Sequence, residues 1–291
     1  MTTLQQQPIN ALREVTEIHS GIATSDGDGV KLTRIIGTTK LDMLDPFLLL
    51  DCFESDDAAD YIGGFPTHPH RGFETVTYLL NGKMRHKDSA GHEGVVEPGG
   101  VQWMTAGKGV LHSEMPEQDN GLLKGYQLWV NLPKSAKMIE PSYQEYPPEI
   151  TPLETRADGS VVRVIAGKTD LGTQGPIVNP YTKPTFMDVS LAKHQEFEQR
   201  LPLQHNAFLY VIDGEALVYD HTGKTTAVSA KQVALLSPGE RLLVSATDNA
   251  RFLLLAGQPL NEPVERAGPF VMNTRQELLQ AYHDFQSGHF N

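Results

Sequence analysis

Four side chains with metal-binding atoms occur as two closely spaced pairs in this sequence. His68 and His70 form one pair, and His112 and Glu114 form a second pair forty-two positions after His70. In an extended strand, residues two apart point to the same face, so each pair directs two ligand atoms toward one place. Three imidazoles and one carboxylate leave positions open on a five- or six-coordinate ion, as a metal that binds a substrate or O2 requires. The spacing therefore predicts a reactive metal site rather than a structural one.

The sequence around the two pairs distinguishes them from the other histidines. The first pair lies in a segment rich in proline and glycine, residues 63–72, which we expect to form a stiff loop before a strand. The second pair follows a glycine turn at the start of a strand. Glu74, four residues after His70, is a competing carboxylate that could bind the metal or support a ligand. His86 and His92 flank a predicted hairpin turn, and we expect both to be exposed.

The elements that must position these residues are mostly β-strands. Short apolar runs alternate with Gly, Pro, Asn and Asp along most of the chain, which is typical of strands joined by tight turns. A proline-rich stretch from Pro141 to Pro152 separates two sets of strands and predicts a domain boundary. The predicted strands are residues 32–36, 47–53, 74–80, 84–87, 94–96, 101–104, 126–131, 161–166, 186–191, 208–212, 216–219, 233–236, 241–245 and 252–255.

The two sets of strands resemble each other in sequence. An offset of 132 residues aligns residues 78–82 with 210–214, and Gly107 with Gly239, without a gap. Glycines and apolar positions that keep one register over thirty residues indicate two copies of one β-fold. The offset places the four candidate ligands on residues without matching ligand atoms: Arg200, Pro202, Val244 and Ala246. We therefore predict a metal site in the first copy only.

The C-terminal residues have a helical pattern instead. Thr274 and Glu277 form a Thr-x-x-Glu capping box, and apolar residues at helical spacing follow from Leu278 to Phe285. This pattern predicts a single helix over residues 275–287.

Composition narrows the possible partners and surroundings. The formal net charge of the 291-residue chain is −12, which argues against direct binding to nucleic acid, because that binding depends on clustered Lys and Arg. The only cysteine, Cys52, allows no internal disulfide and suits a reducing compartment. Neither a leader-like N-terminus nor a membrane-spanning apolar run is evident in the sequence. We expect a cytoplasmic monomer without a membrane contact.

Longer motifs around the ligand pairs closely resemble the pirin family of the cupin superfamily. They are HPHRGFETVTY at residues 68–78, QWMTAG at 102–107 and LHSEMP at 111–116, and GPFVMNT at 268–274 resembles the C-terminal signature of the family. The resemblance implies an all-β bicupin of two facing antiparallel β-barrels of the jelly-roll type, with a C-terminal helix. It implies a metal-binding barrel over residues 1–140 and a barrel without metal, plus the helix, over 141–291.

The resemblance also implies one iron ion, although the same ligands accept other divalent metals. Its ligands would be His68, His70, His112 and Glu114. Many cupins use the glutamate four residues after the second histidine, but the pirin pattern gives that role to Glu114. Glu74 is then expected beside the ligands rather than among them.

The resemblance implies two possible activities. Some pirins resemble quercetin 2,3-dioxygenases, which open a flavonol ring with O2 and release carbon monoxide, and here Glu114 would be both a metal ligand and the base that removes the flavonol proton. The substrates would be O2 and a flavonol-like small molecule. Other pirins act as iron-dependent, redox-responsive regulators, which would need a protein partner. The sequence favours the dioxygenase and leaves the regulator as the alternative.

Overall fold

The computed structural model describes residues 11–290, and the chain divides into two compact units. Residues 1–10, for which the sequence predicts no leader, and residue 291 lie outside the described residues. The first unit, which contains the candidate ligands, comprises residues 21–151, 180–182 and 260–290. The second unit comprises residues 11–20, 152–179 and 183–259.

Strands dominate both units, and the one α-helix of the described residues is α1 (Arg275–Gln286). Two short 3-10 helices cover Ala58–Asp60 and Lys134–Ala136. The strands are β1 (Val15–Ser20), β2 (Ile22–Asp26), β3 (Val30–Ile36), β4 (Phe47–Ser55), β5 (Phe65–His70), β6 (Phe73–Asn81), β7 (Met84–Asp88), β8 (Glu93–Val96), β9 (Val101–Thr105), β10 (Val110–Pro116), β11 (Leu123–Asn131), β12 (Ser142–Tyr146), β13 (Leu153–Thr155), β14 (Val161–Ala166), β15 (Thr185–Leu191), β16 (Glu196–Arg200), β17 (Asn206–Tyr219), β18 (Thr225–Ser229), β19 (Gln232–Leu236), β20 (Arg241–Gly257), β21 (Glu265–Ala267) and β22 (Phe270–Met272).

The first unit contains two antiparallel sheets. Seven strands pair in the order β12-β9-β6-β11-β4-β3-β2, and four pair in the order β5-β10-β7-β8. Side chains of β11 alternate between buried and half-buried positions over much of its length, as expected where one face of a strand lies on a core. A separate hairpin of β21 and β22 carries the chain to α1. The candidate ligands lie on β5 and β10, which are neighbours in the four-stranded sheet.

The second unit is built on one nine-stranded sheet around an apolar core. Its main path is β1-β19-β17-β20-β15-β14-β13, and β16 and β18 pair with β20 and β17. Phe197, Val244 and Ala246 belong to a continuous cluster of buried apolar side chains in this unit. The same order of pairing, β5 with β10 and β16 with β20, occurs in both units. The predicted repeat therefore corresponds to two related β-folds.

The predicted strands are all present, with bounds that differ by at most three residues, except that two pairs of them merge into the long strands β17 and β20. One prediction was wrong: the segment around His68 and His70 forms strand β5 rather than a loop. Pro66 and Pro69 are compatible with this strand because β5 lies at the edge of its sheet and pairs only with β10. An edge strand tolerates residues without a backbone N–H donor.

The two units do not follow a simple division at residue 140, because the terminal segments of the chain belong to other units than predicted. Strand β1 pairs with β19 in the second unit, although its residues come first in the chain. The C-terminal helix belongs to the first unit. The change from one unit to the other at Thr151 and Pro152 falls at the end of the predicted proline-rich boundary, and the first part of that stretch forms β12.

Helix α1 begins at Arg275, as the capping box predicts. The Thr274 hydroxyl accepts a hydrogen bond from the backbone N–H of Glu277, and the Glu277 carboxylate accepts one from the N–H of Asn273. Across residues 11–290, no helix is long and apolar enough to cross a membrane.

Candidate metal centre

Strand pairing brings three of the four predicted ligands together. His68 and His70 lie on β5, and His112 lies directly opposite His68 on β10. One ligand atom from each of the three imidazoles lies within 4.8 Å of the others. His70 and His112 are 3% and 1% exposed, whereas His68 is partly exposed. The three side chains form a compact nitrogen-rich site, and their role as metal ligands stays a prediction.

Hydrogen bonds determine which nitrogen atoms are free to bind a metal. Nδ1 of His68 lies 2.8 Å from the carbonyl oxygen of Pro66, and Nδ1 of His70 lies 3.4 Å from that of Pro269. A carbonyl oxygen only accepts, so both Nδ1 atoms carry the proton and both Nε2 atoms present a lone pair. The two Nε2 atoms are 3.0 Å apart and cannot hydrogen-bond to each other in this state.

These nitrogen atoms are well placed to share a cation. Metal–nitrogen bonds of roughly 2.1 Å at a right angle place two donor atoms about 3 Å apart, which matches the spacing of the His68 and His70 lone pairs. The Nε2 atom of His112 is buried and has no hydrogen-bond partner among the described residues. An unpartnered buried nitrogen is costly unless a ligand satisfies it. The residues therefore fit a bound metal ion.

Burial also keeps two of the imidazoles in the form that binds metal. Desolvation, together with the neighbouring imidazole of His68, lowers the pKa of His70 well below its ordinary value. Desolvation lowers the pKa of His112 in the same direction, and the imidazoles of His70, His68 and His86 add to the effect. Both side chains are thus neutral at physiological pH, as metal ligands must be.

Glu114, the fourth predicted ligand, is buried on β10 but lies outside the group of three histidines. Its Oε1 accepts a hydrogen bond of 2.6 Å from the hydroxyl of Thr77, and its Oε2 accepts one of 3.2 Å from Nε2 of Gln127. A bulge between His112 and Glu114 changes the pairing of β10 with β5 at this point. The carboxylate is therefore held by the seven-stranded sheet, and its roles as ligand and base stay predictions.

A cavity of about 800 Å³ opens beside the site in the first unit. His68, His70 and Glu114 contribute to its wall, and so does Pro269 of the C-terminal residues. This volume lies within the range of roughly 300–1,000 Å³ that is typical of small-molecule pockets. The apolar part of the wall is formed by Leu32, Leu49, Phe53, Phe65 and Trp129.

A row of polar side chains crosses the cavity wall. Arg34, Asp51 and Gln127 lie on neighbouring strands β3, β4 and β11 and are paired in register. Arg34 donates to both carboxylate oxygens of Asp51, at 2.9 and 2.7 Å. The wall thus combines apolar surface with a few fixed polar groups, which is the usual composition of a ligand pocket.

Comparison with known proteins shows which family has this arrangement. The family model described as Pirin matches residues 29–130, and the model described as Pirin C-terminal cupin domain matches residues 186–291. A pirin-like protein of Caulobacter vibrioides is 52% identical over 279 residues, which are 96% of this chain and 99% of that protein. The chain belongs to the pirin family. The expected all-β fold with two cupin domains and one C-terminal helix is thereby confirmed.

Two further relatives of this pirin-family chain have names that refer to an activity. A protein of Pseudomonas aeruginosa named putative quercetin 2,3-dioxygenase is 46% identical over 279 residues, covering 95% of this chain and 97% of that protein. The crystal structure of a quercetin 2,3-dioxygenase from Acinetobacter baumannii superposes with a TM-score of 0.86 at 36% identity, covering 97% of this chain and 99% of that one.

The prediction that His86 is exposed was wrong. His86 is 0% exposed on β7, and its Nδ1 lies 3.4 Å from Nδ1 of His112. The predicted hairpin turn after His86 is present. Strand β7 pairs with β10, however, and this pairing directs the imidazole of His86 toward His112. A signal existed in the sequence, because His86 and Asp88 have the same two-residue spacing as the ligand pairs. His92, at the other end of the turn, is partly exposed.

Glu74 is buried on β6 and accepts a hydrogen bond of 2.8 Å from the hydroxyl of Thr105. Its expected role beside the ligands stays a prediction. Thr77 and Gln127, which hold Glu114, were not identified from the sequence. Neither residue has a diagnostic spacing, because β6 and β11 each contain several polar residues and nothing in the sequence singles out these two.

The second cupin domain of this pirin-family chain has an apolar residue at the position that corresponds to His68. The 132-residue offset assigns Arg200 to that position, but the observed pairing places Phe197 opposite Val244. Strand β16 is therefore shifted by three residues relative to the offset. Phe197 and Val244 are fully buried in the apolar core of the unit. That this domain binds no metal stays a prediction.

Proposed function

We propose that this chain is an iron-dependent dioxygenase of the quercetinase type, which opens the heterocycle of a flavonol-like substrate with O2 and releases carbon monoxide. One observation carries the proposal: one ligand atom from each of three imidazoles lies within 4.8 Å of the others, beside a cavity of small-molecule size whose wall also contains a buried carboxylate. The names of the Pseudomonas and Acinetobacter relatives support the same reaction class.

His68, His70 and His112 would hold the iron, with Glu114 as the fourth ligand. The chemistry that bound iron supplies is polarisation of the flavonol oxygens and activation of O2. Glu114 would accept the proton of the flavonol hydroxyl, because its carboxylate lies in the cavity wall beside the ligands. The hydrogen bonds from Thr77 and Gln127 keep that carboxylate oriented.

The cavity wall would position a flat aromatic substrate. Trp129 and Phe65 offer apolar surface for the rings, and aromatic side chains pack well against such surfaces. Asp51 and Arg34 place polar atoms one and two strands away from Gln127, at about 4.8 Å per strand. These groups suit the hydroxyl substituents of a polyhydroxylated ring.

The test is a single-turnover experiment on the full chain loaded with one Fe²⁺ under anaerobic conditions. Quercetin is added first, and a pulse of O2 follows. We expect the absorbance of quercetin to disappear with release of one carbon monoxide per ring opened. Glu114→Gln should bind quercetin but lose most of the turnover, because an amide cannot accept the proton.

Fully iron-loaded protein that neither consumes quercetin nor releases carbon monoxide would overturn the proposal. Binding of quercetin without turnover in the same experiment would instead favour the regulator. His221→Ala is the matched control, because His221 is an exposed histidine of the second unit. Its turnover should equal that of the unchanged chain.

A further inference from the structure

We infer that His86 is a positioning residue for the site: it fixes the tautomer and the orientation of His112, and Asp88 fixes His86 in turn. The inference rests on the proposed role of His112 as a metal ligand. It does not depend on which metal binds or on which reaction follows.

The arrangement of the two imidazoles leaves only one consistent set of protons. For His112 to bind a metal through its unpartnered Nε2, its single proton must be on Nδ1. That Nδ1 lies 3.4 Å from Nδ1 of His86, which must then be the acceptor. The proton of His86 is consequently on Nε2, which lies 3.5 Å from Oδ2 of Asp88, at the long end of hydrogen-bond range. Both imidazoles and the carboxylate are buried.

Asp88 is well held for this task. Its Oδ1 accepts hydrogen bonds of 2.9 Å from the backbone N–H groups of Ala90 and His92. Its Oδ2 lies 2.9 Å from Nδ1 of His92, which donates there. An ionised carboxylate only accepts, so it selects the His86 tautomer with the proton on Nε2. The turn between β7 and β8 holds Asp88 in place. Asp88 thus determines which nitrogen of His86, and through it which nitrogen of His112, carries the proton.

Packing fixes the position of the His86 ring as well. Tyr143 stacks on His86 with a centroid distance of 4.9 Å and an interplanar angle of 29°, and it also stacks on His92. On the backbone, His86 is paired with Glu114 and Asp88 with His112. The ring therefore has one orientation that faces the ligand.

This support differs from that of the other two ligands. His68 and His70 donate to backbone carbonyl oxygens, which can only accept. His112 faces an imidazole, which can either donate or accept depending on its tautomer. Only His112 therefore needs a further residue, Asp88, which determines whether its partner His86 donates or accepts the hydrogen bond. Partners of this kind orient a metal-bound imidazole and raise its basicity.

The first experiment measures the tautomer directly in the metal-free, ¹⁵N-labelled full chain at a pH at which the imidazoles are neutral. Two-bond ¹H–¹⁵N correlation spectra distinguish a proton on Nδ1 from one on Nε2. We expect His112 to carry its proton on Nδ1. His86→Phe keeps the stack on Tyr143 but removes the acceptor, and His112 should then lose this preference. His86→Gln offers an amide oxygen as acceptor and should restore the preference at least in part.

The second experiment measures the affinity for Zn²⁺ by competition with a chelator. His86→Phe should weaken zinc binding about 10- to 100-fold, the usual effect of losing such a partner. His221→Phe is the control, because it makes the same substitution at an exposed histidine of the second unit. It should leave both the tautomer and the zinc affinity unchanged.

Two results would overturn the inference. One is a His112 proton on Nε2 in the unchanged chain, which needs no variant to fold. The other is a His86→Phe chain that binds zinc more weakly but keeps the His112 tautomer, since His86 would then have only a packing role. Neither measurement requires turnover, so failure of the dioxygenase proposal would be recognised separately.

Discussion

At the scale of single residues, the contacts of the ring nitrogens distinguish the candidate ligand His112 from the exposed histidine His221. His112 has one nitrogen facing His86 and one that is buried without a partner. His221 instead forms an ion pair with Glu14 on the surface of the second unit, which raises the pKa of the imidazole. The two histidines therefore differ: His112 has a buried nitrogen that a metal ion could satisfy, whereas His221 is already paired with a carboxylate.

This difference leads to a prediction about metal content. His112→Ala should weaken metal binding by more than about 100-fold, beyond the range expected for losing only a supporting partner. His221→Ala should leave it unchanged. Elemental analysis of both purified variants and of the unchanged chain, after equal exposure to Fe²⁺, measures the effect. A His112→Ala chain that keeps one metal ion per chain would contradict the assignment.

At the scale of secondary-structure elements, the position of Glu114 depends on two strands of the other sheet. Thr77 on β6 and Gln127 on β11 are directly opposite each other, and both contact the carboxylate. The four-stranded sheet thus supplies the candidate ligand, and the seven-stranded sheet supplies the groups that orient it. A charge-assisted hydrogen bond of this type is stronger than a neutral one.

Replacing Thr77 by Val tests this contact with almost no change in shape. The carboxylate loses its 2.6 Å hydrogen bond and Oε1 of Gln127 loses its 2.7 Å contact with the same hydroxyl, so we expect the unfolding free energy of the metal-free chain to fall by about 1–3 kcal/mol. Zinc affinity should fall as well if Glu114 is a ligand. Urea unfolding and chelator competition measure the two effects. Thr75→Val, two residues away on the same strand, is the matched control. Equal effects at the two positions would show that the contact with Glu114 is not the cause.

Much of the site could be predicted because it depends on local spacing. The two-residue spacing of the ligand pairs places them on one face of a strand, whichever strand that is. The two-residue spacing of His86 and Asp88 indicates a shared face of a strand but not which face is buried. The burial of His86 depends on β7 pairing with β10, a contact between segments about 26 residues apart. The pairing of β1 with β19 is a contact over more than two hundred residues, and no local pattern encodes it. The register shift of β16 was also missed, because a sequence offset does not show how strands pair.

At the scale of the whole molecule, C-terminal residues complete the unit that contains the site. The carbonyl oxygen of Pro269 faces Nδ1 of His70, and Pro269 also lines the cavity. Arg71, next to His70, donates to Asp284 on α1 and to the carbonyl oxygen of Phe290. The helix that the capping box predicts therefore supports the candidate metal centre from a distant part of the sequence.

Lys137 connects the same C-terminal residues to the earlier part of the first unit. Its buried ammonium group donates to the carbonyl oxygens of Gly72 and Val271, at 2.7 and 3.0 Å, and to Oδ1 of Asn131 at 2.7 Å. Desolvation lowers the pKa of Lys137 to about 7, although Glu262 and Glu277 act in the opposite direction. In the unfolded chain the pKa of a lysine is about 10.4. Above pH 7 the unfolded chain therefore binds a proton that the folded chain has released.

This difference predicts a pH-dependent stability. Acidification stabilises the state that binds more protons, which here is the unfolded chain. The unfolding free energy should therefore rise with pH between about 7 and 10.4, by at most about 1.4 kcal/mol per pH unit from this residue. Below pH 7 both states are protonated, and the contribution should be flat. Urea unfolding from pH 6 to 9, monitored by the fluorescence of Trp103 and Trp129, reports on the first unit, because both tryptophans lie in it.

Lys137→Met should remove this slope, whereas Lys193→Met, at an exposed lysine of the second unit, should keep it. Parallel pH profiles of the unchanged chain and Lys137→Met would mean that the three acceptors hold the ammonium form and offset its desolvation.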